Sequence, residues 1–288
     1  MASVAIISSM KKPAAAGFPL RQQIESSLGE HLSSTLLLRE RDAPGMAPIG
    51  VAALDALTGG LPRGALSEIA GPTSSGRTSV MLRALATAIR RQEVCALVDA
   101  SNSFDPASAI MAGVNLEQLL WVRCNCPTRD TKSQSRKEGL RAHTGFAYSG
   151  ALEQVLKVTD LLLQSGGFGM VVLDLGDVPA DSARRVPLTS WFRFRRAVEP
   201  TATVLLVIEQ ESCVRTCASL VLQLQPETIL TSYSAGECQF EQIRLVAEGV
   251  AHASLLRGMR CHAEVARSWI RRKAPQSCGA EFELRTAL

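Results

Sequence analysis

The sequence predicts an α/β fold, with a mostly parallel central sheet flanked by helices and a short helical appendage at the N-terminus. Three observations predict it. Continuous apolar runs at Val94–Val98, Met170–Leu173 and Thr203–Ile208 have the length and the lack of alternation expected of strands buried on both faces. Segments with helical apolar spacing lie between them. The segment Gly71-Pro72-Thr73-Ser74-Ser75-Gly76-Arg77-Thr78 joins a strand-like run, Ala65 to Ala70, to a helix-like run, Ser79 to Arg91.

That segment fits G-x-x-x-x-G-[K/R]-[ST], a phosphate-binding loop with Arg in place of the usual Lys. Two glycines let the backbone curl so that successive N–H groups face an anion. The following helix adds the positive end of its dipole. Thr78 offers a hydroxyl to a magnesium ion held against the phosphates. Arg77 supplies fixed positive charge, but as a planar fork rather than a point.

With 288 residues the chain can bury a substantial core, and 46% hydrophobic with 20% charged residues is ordinary for a soluble globular protein. No apolar run is long enough to span a bilayer, so neither a helical membrane protein nor a membrane partner is expected. Met1 to Met10 is apolar, but Lys11 and Lys12 follow it, the reverse of a secretory signal. The eight cysteines are scattered, so reduced thiols in a cytoplasm are expected. Cys124/Cys126 and Cys213/Cys217 do not make a two-plus-two zinc pattern. A net charge of +4, carried mainly by Arg, is compatible with nucleic acid without demanding it.

In chain order, residues 1–45 read as an appendage and 46–288 as the core. Leu20, Ile24, Leu28 and Leu32 form one apolar stripe, which either packs on the core or docks onto a neighbouring subunit. A short helix follows Ile49 and ends at Gly59-Gly60, and Pro62 to Gly64 turns into the first core strand. After the loop and its helix, Val94–Val98 ends in Asp99, a helix starts after Asp105, and Leu119–Val122 is another strand. Residues 124–149 lack apolar periodicity and are basic, either a solvated loop or a contact for phosphate backbones. Leu152, Val155, Leu156 and Leu162 mark a helix that stops at Gly166-Gly167.

Met170 to Leu173 ends in Asp174, a carboxylate placed to hold magnesium through water beside the loop. Pro187 to Val198 interleaves Trp191, Phe192 and Phe194 with Arg193, Arg195 and Arg196. This cluster is either a single-stranded DNA contact or an amphipathic helix with Trp191 and Phe194 inward. Thr203–Ile208 ends in Glu209-Gln210-Glu211. From Ala218 onward the chain reads as short strands, including Ile243–Ala247, His262–Ile270 and Ala280–Leu284.

These residues, taken in order from Ile49 to Leu284, resemble the RecA family. The likeness is densest from Gly64 to Cys124, through the Gly71-to-Thr78 loop, Asp99-Ala100, Asp105-Pro106 and Gly113-Val114. It implies a RecA-type P-loop core that binds ATP and Mg2+, with Gly71 to Thr78 and Ser79 around the phosphates. It also implies that Thr78 and Asp174 attend the metal and that Gln210 is the phosphate sensor. Arg271, Arg272 and Lys273 fall where the family reaches across to a neighbour's nucleotide in a homo-oligomer. Three departures stand out. Ser101 replaces the catalytic Glu, Ser108 replaces an adenine-stacking Tyr, and only Glu211 to Thr216 remains of the second DNA loop. The first DNA loop is short as well, at Gly176 to Pro187, though it keeps Arg184 and Arg185. This eroded pattern is similar to ImuA-type accessory proteins. It implies a role beside a translesion DNA polymerase, or another RecA-type subunit, in the SOS damage response. An active DNA-dependent ATPase and recombinase is the other reading.

Overall fold

The computed structural model describes residues 45–124, 144–231, 256–268 and 279–285. Strands β1 (Met46–Ala47) and β2 (Leu61–Pro62) pair antiparallel around helix α1 (Ala52–Thr58). The start of α1 is fixed by Asp55, whose carboxylate accepts the Ile49 and Gly50 N–H groups at 2.7 and 2.9 Å. Its end is fixed by Gly59 in the left-handed conformation, φ 80°, a position open to glycine.

The main elements follow as β3 (Ala65–Ala70), α2 (Arg77–Arg90), β4 (Cys95–Asp99), α3 (Pro106–Met111), β5 (Leu119–Arg123), α4 (Thr144–Ser165), β6 (Met170–Asp174), α5 (Ala180–Ala183), α6 (Leu188–Val198), β7 (Val204–Glu209), β8 (Leu220–Thr231), β9 (Leu256–Ser268) and β10 (Gly279–Arg285). They build an eight-stranded sheet in the order β10-β9-β8-β3-β7-β6-β4-β5. From β8 to β5 every pairing is parallel, and β9 and β10 add an antiparallel ribbon at one edge.

Successive strand residues point to opposite faces, so each apolar run feeds two cores. Ile69, Leu97, Val172, Leu206 and Leu222 pack with Leu54 of α1 and with Val80, Met81 and Leu85 of α2. Leu66, Val98, Leu173, Leu205 and Val207 pack on the other face with Val155 of α4 and with Trp191 and Phe194 of α6. Continuous hydrophobicity in these strands is thus the signature of helices on both sides. Because β3, β7, β6 and β4 are parallel neighbours, their carboxyl ends open on one edge.

Two expectations change. The segment after Ala218 forms strands of 12 and 13 residues rather than short ones. Gln223, Gln225, Pro226 and Glu227 interrupt the apolar pattern, yet the backbone ribbon runs through them with irregular register near Pro226/Thr228. Helix α4 begins at Thr144, inside the stretch read as loop, where Gly145 and Gly150 weaken the helical pattern. Residues 1–44, 125–143, 243–247 and 271–273 lie outside the described residues, and with them the appendage, most of the basic loop and the proposed interface cations Arg271, Arg272 and Lys273.

Candidate functional site

The Gly71-to-Thr78 loop leaves the carboxyl end of β3 and is tied to β7 by the Gly71 N–H, which donates to the Glu209 carbonyl at 3.2 Å. Two glycines shape it for different reasons. A Cβ on Gly71 would lie 2.5 Å from the Leu224 carbonyl oxygen and 2.6 Å from Ser75 Oγ, so the backbone passes too close for a side chain. Gly76 has φ 85° and is the turn into α2, which makes Arg77 and Thr78 its first residues. A Cβ there would lie 2.6 Å from Leu284 Cδ1, because the β9–β10 ribbon leans on the loop. Ser75 Oγ is buried and has no hydrogen-bond partner. Pro72, Thr73, Ser74 and Thr78 are exposed, and Ser79 is half-buried.

Arg77 is only 8% exposed, and its guanidinium turns across the strand ends toward β6. Its Nη1 donates to the Gly176 carbonyl at 3.4 Å. Gln210 Nε2 donates to the same carbonyl at 2.9 Å. Asp174 lies two residues before Gly176, and its Oδ1 accepts the Gly176 N–H at 2.8 Å. The structure therefore brings Arg77, Asp174 and Gln210 together on one backbone turn, since β7 lies between β3 and β6. Burial pushes the Asp174 carboxyl up to about 6. The Gly176 N–H and Arg77 oppose the rise, while Asp99 and Asp177 add to it. Burial also lowers the Arg77 pKa, with Asp174 and Asp177 holding it up.

The acidic groups near Ser101 are committed elsewhere. Asp99 accepts the Ser103 and Phe104 N–H groups at 3.1 and 3.0 Å and the Trp121 indole N–H at 3.2 Å. Asp105 caps α3 by accepting the Ala107 and Ser108 N–H groups and the Ser108 hydroxyl. Ser101 Oγ itself is buried without a partner. Beside the loop is a cleft of about 1040 Å³, lined among others by Gly50, Ser74, Ser79, Asp105, Ser108 and Glu283. It is roomy enough for a nucleoside-sized ligand, for which pockets of about 300–1,000 Å³ are usual.

Two buried carboxylates carry weight that sequence reading missed. Glu68, inside β3, accepts the Ser212 hydroxyl at 2.9 Å and the Cys213 and Val214 N–H groups at 2.7 and 3.2 Å. Glu209 accepts the same Cys213 N–H at 3.2 Å. Ligand atoms of Glu68, Glu209 and Cys213 lie within 4.8 Å of one another. With three donors already on Glu68, the group works as a clamp that pins the short segment after Gln210 onto the sheet. Burial raises the Glu68 pKa despite these donors and also pushes the Cys213 thiol up. A charged residue in the middle of an apolar strand, Ala65-Leu66-Ser67-Glu68-Ile69-Ala70, was the available signal.

On α6, Trp191 and Phe194 are inward, 1% and 0% exposed, while Phe192 is 43% exposed. Arg193 pairs with Asp160 of α4 at 3.0 Å, and Arg196 is exposed beside half-buried Arg195. Arg184 pairs with Glu211, linking the segment after β6 to the segment after β7. Among the described residues no helix is long and apolar enough to cross a membrane.

Residues 20–130 match the family model of the RecA N-terminal domain. The chain is 37% identical over 116 residues to Protein RecA of Ectopseudomonas oleovorans, which covers 40% of this chain and 26% of that protein. It is 35% identical over 158 residues to Protein RecA of Methylococcus capsulatus (strain ATCC 33009 / NCIMB 11132 / Bath), covering 53% of this chain and 38% of that protein. The matches thus span between about a quarter and two fifths of these relatives. The crystal structure of the RadB recombinase resembles the fold with TM-score 0.52 and 18% identity, over 84% of this chain and 97% of that one.

Proposed function

We propose that the chain, whose residues 20–130 match the model of the RecA N-terminal domain, is a RecA-like protein of DNA repair that binds ATP and hydrolyses it slowly or not at all. It acts as an accessory to translesion DNA synthesis in the SOS response, working with a lesion-bypass polymerase, another RecA-type subunit or single-stranded DNA. The observation that carries this reading is the pairing of a built phosphate loop with an absent base. The loop faces Asp174 and Gln210 at the ends of neighbouring strands, while Ser101 stands where a carboxylate would polarise the attacking water. Neither nearby acid substitutes, because Asp99 and Asp105 hold backbone N–H groups. The Glu68 clamp on residues 212–214 favours an accessory over a strand-exchange enzyme, since that segment is short and held down.

Equilibrium titration with a fluorescent ATP analogue tests the binding step. A saturable signal is expected, and its absence under every condition leaves only a scaffold. Single-turnover hydrolysis with and without single-stranded DNA tests the second step. The alternative is an active DNA-dependent ATPase and recombinase that binds single-stranded DNA. DNA-stimulated turnover abolished by Thr78→Ala establishes that alternative instead.

DNA binding is expected to be salt-sensitive and independent of sequence. Replacing Arg193, Arg195 and Arg196 together by Ala should reduce the log–log salt slope for single strands by about 2, at roughly 0.7 per phosphate contact. An unchanged slope assigns these arginines to the helix surface alone.

A further inference from the structure

We infer that Arg77 is the resident cation of this loop, so that the site takes a nucleoside triphosphate without a divalent metal. The inference rests on the nucleotide-binding reading above and concerns how that site is charged. With the Arg77 guanidinium turned onto Gly176 at the end of β6, the residues around Asp174 do not fit a magnesium shell. Asp174 is 9% exposed, and its Oδ1 is turned back onto its own chain by the Gly176 N–H. Magnesium needs near-octahedral oxygen geometry and keeps several waters, and with Oδ1 committed to the Gly176 N–H only the second oxygen of this buried carboxylate is left to hold one.

The space between the loop and the end of β6 is instead reached by the Arg77 guanidinium. A Cβ built on Gly176 would lie 3.6 Å from Arg77 Nη1 and 3.0 Å from Asp174 Oδ1, so cation and carboxylate converge on one point. Gly176 also presents its carbonyl to that guanidinium, with Gln210 as the second donor. A lysine ammonium is compact and leaves room beside it for a metal, whereas a guanidinium is broad, planar, always charged and weakly hydrated, so it tolerates this burial. One fork of it can stay on Gly176 while the other faces a phosphate oxygen. The exposed Thr78 hydroxyl and the loop N–H groups then complete the anion's contacts directly.

The test is titration of the full chain with methylanthraniloyl-labelled ATP, in magnesium and in EDTA. Affinities within about threefold of each other are expected. A loss of about tenfold or more on chelation overturns the inference and leaves nucleotide binding intact. No saturable signal in either buffer overturns the nucleotide-binding reading itself, and this inference with it. Arg77→Lys should acquire metal dependence, binding about tenfold more weakly in EDTA than in magnesium. A folded Arg77→Lys protein that binds equally in both buffers overturns the assignment to Arg77. If that variant does not fold, the comparison on the unaltered chain decides alone.

Discussion

Trp191→Ala is expected to destabilise the protein by about 3–5 kcal/mol, the range for removing a large buried aromatic. That is a substantial share of a total of roughly 5–15 kcal/mol. Trp191 is 1% exposed and meets Phe194 edge-on, with ring centroids 5.9 Å apart at 82°. Both rings fill the core between α6 and the sheet, so truncation leaves a cavity that the rigid strands cannot close. Trp191→Phe should cost far less, because the indole Nε1 is buried with no hydrogen-bond partner. Removing an unsatisfied donor returns about 1–3 kcal/mol, which offsets much of the lost volume. Phe192→Ala, on the exposed side of the same helix, should change stability by less than about 0.5 kcal/mol. Denaturant unfolding of the three variants checks the order. A stable Trp191→Ala protein that has lost DNA binding would show that this ring stacks on bases rather than on the core.

The same helix illustrates what the sequence makes legible. Trp191 and Phe194 are three apart, and that spacing alone put them on one face. Ala65–Ala70 and Met170–Asp174 fall where their apolar runs end, because strands buried on both faces carry no competing pattern. The loop follows from glycine spacing, since the turn has few other chemical solutions. Direction is harder. The spacing of Gly71 to Thr78 predicts an anion site, but nothing in those letters sends Arg77 toward Gly176, a contact 99 residues away in the chain. Glu68 is conspicuous as a charge within an apolar strand, but its partners are not legible, because Ser212, Cys213 and Val214 are brought to it only by the alignment of β3 beside β7. The length of the β8–β9 ribbon is not legible because its strength is in backbone pairing, which side-chain alternation does not report.

Asp174→Asn is expected to stabilise the protein at pH 8 by about 3 kcal/mol and to leave it unchanged near pH 4. The sign follows from burial, which raises the folded-state pKa of Asp174 to about 6 from an ordinary value of 3.8. Below the ordinary value the carboxyl is neutral whether folded or unfolded, and contributes no difference. As pH rises from there to about 6, the unfolded chain releases its proton first, so stability falls across that window. Above it the full cost of an ionised buried carboxylate remains. Asn keeps the acceptor for the Gly176 N–H and carries no charge, so it removes that cost. The opposing influence is Arg77, which would lose a neighbouring negative charge. Its effect is already contained in the raised value, because Arg77 lowers the Asp174 pKa and burial still outweighs it. Chemical unfolding of both proteins from pH 4 to 8 measures the difference. A gain that does not grow with pH would mean that the carboxyl titrates normally, and a loss at pH 8 would mean that Arg77 depends on Asp174 more than burial penalises it.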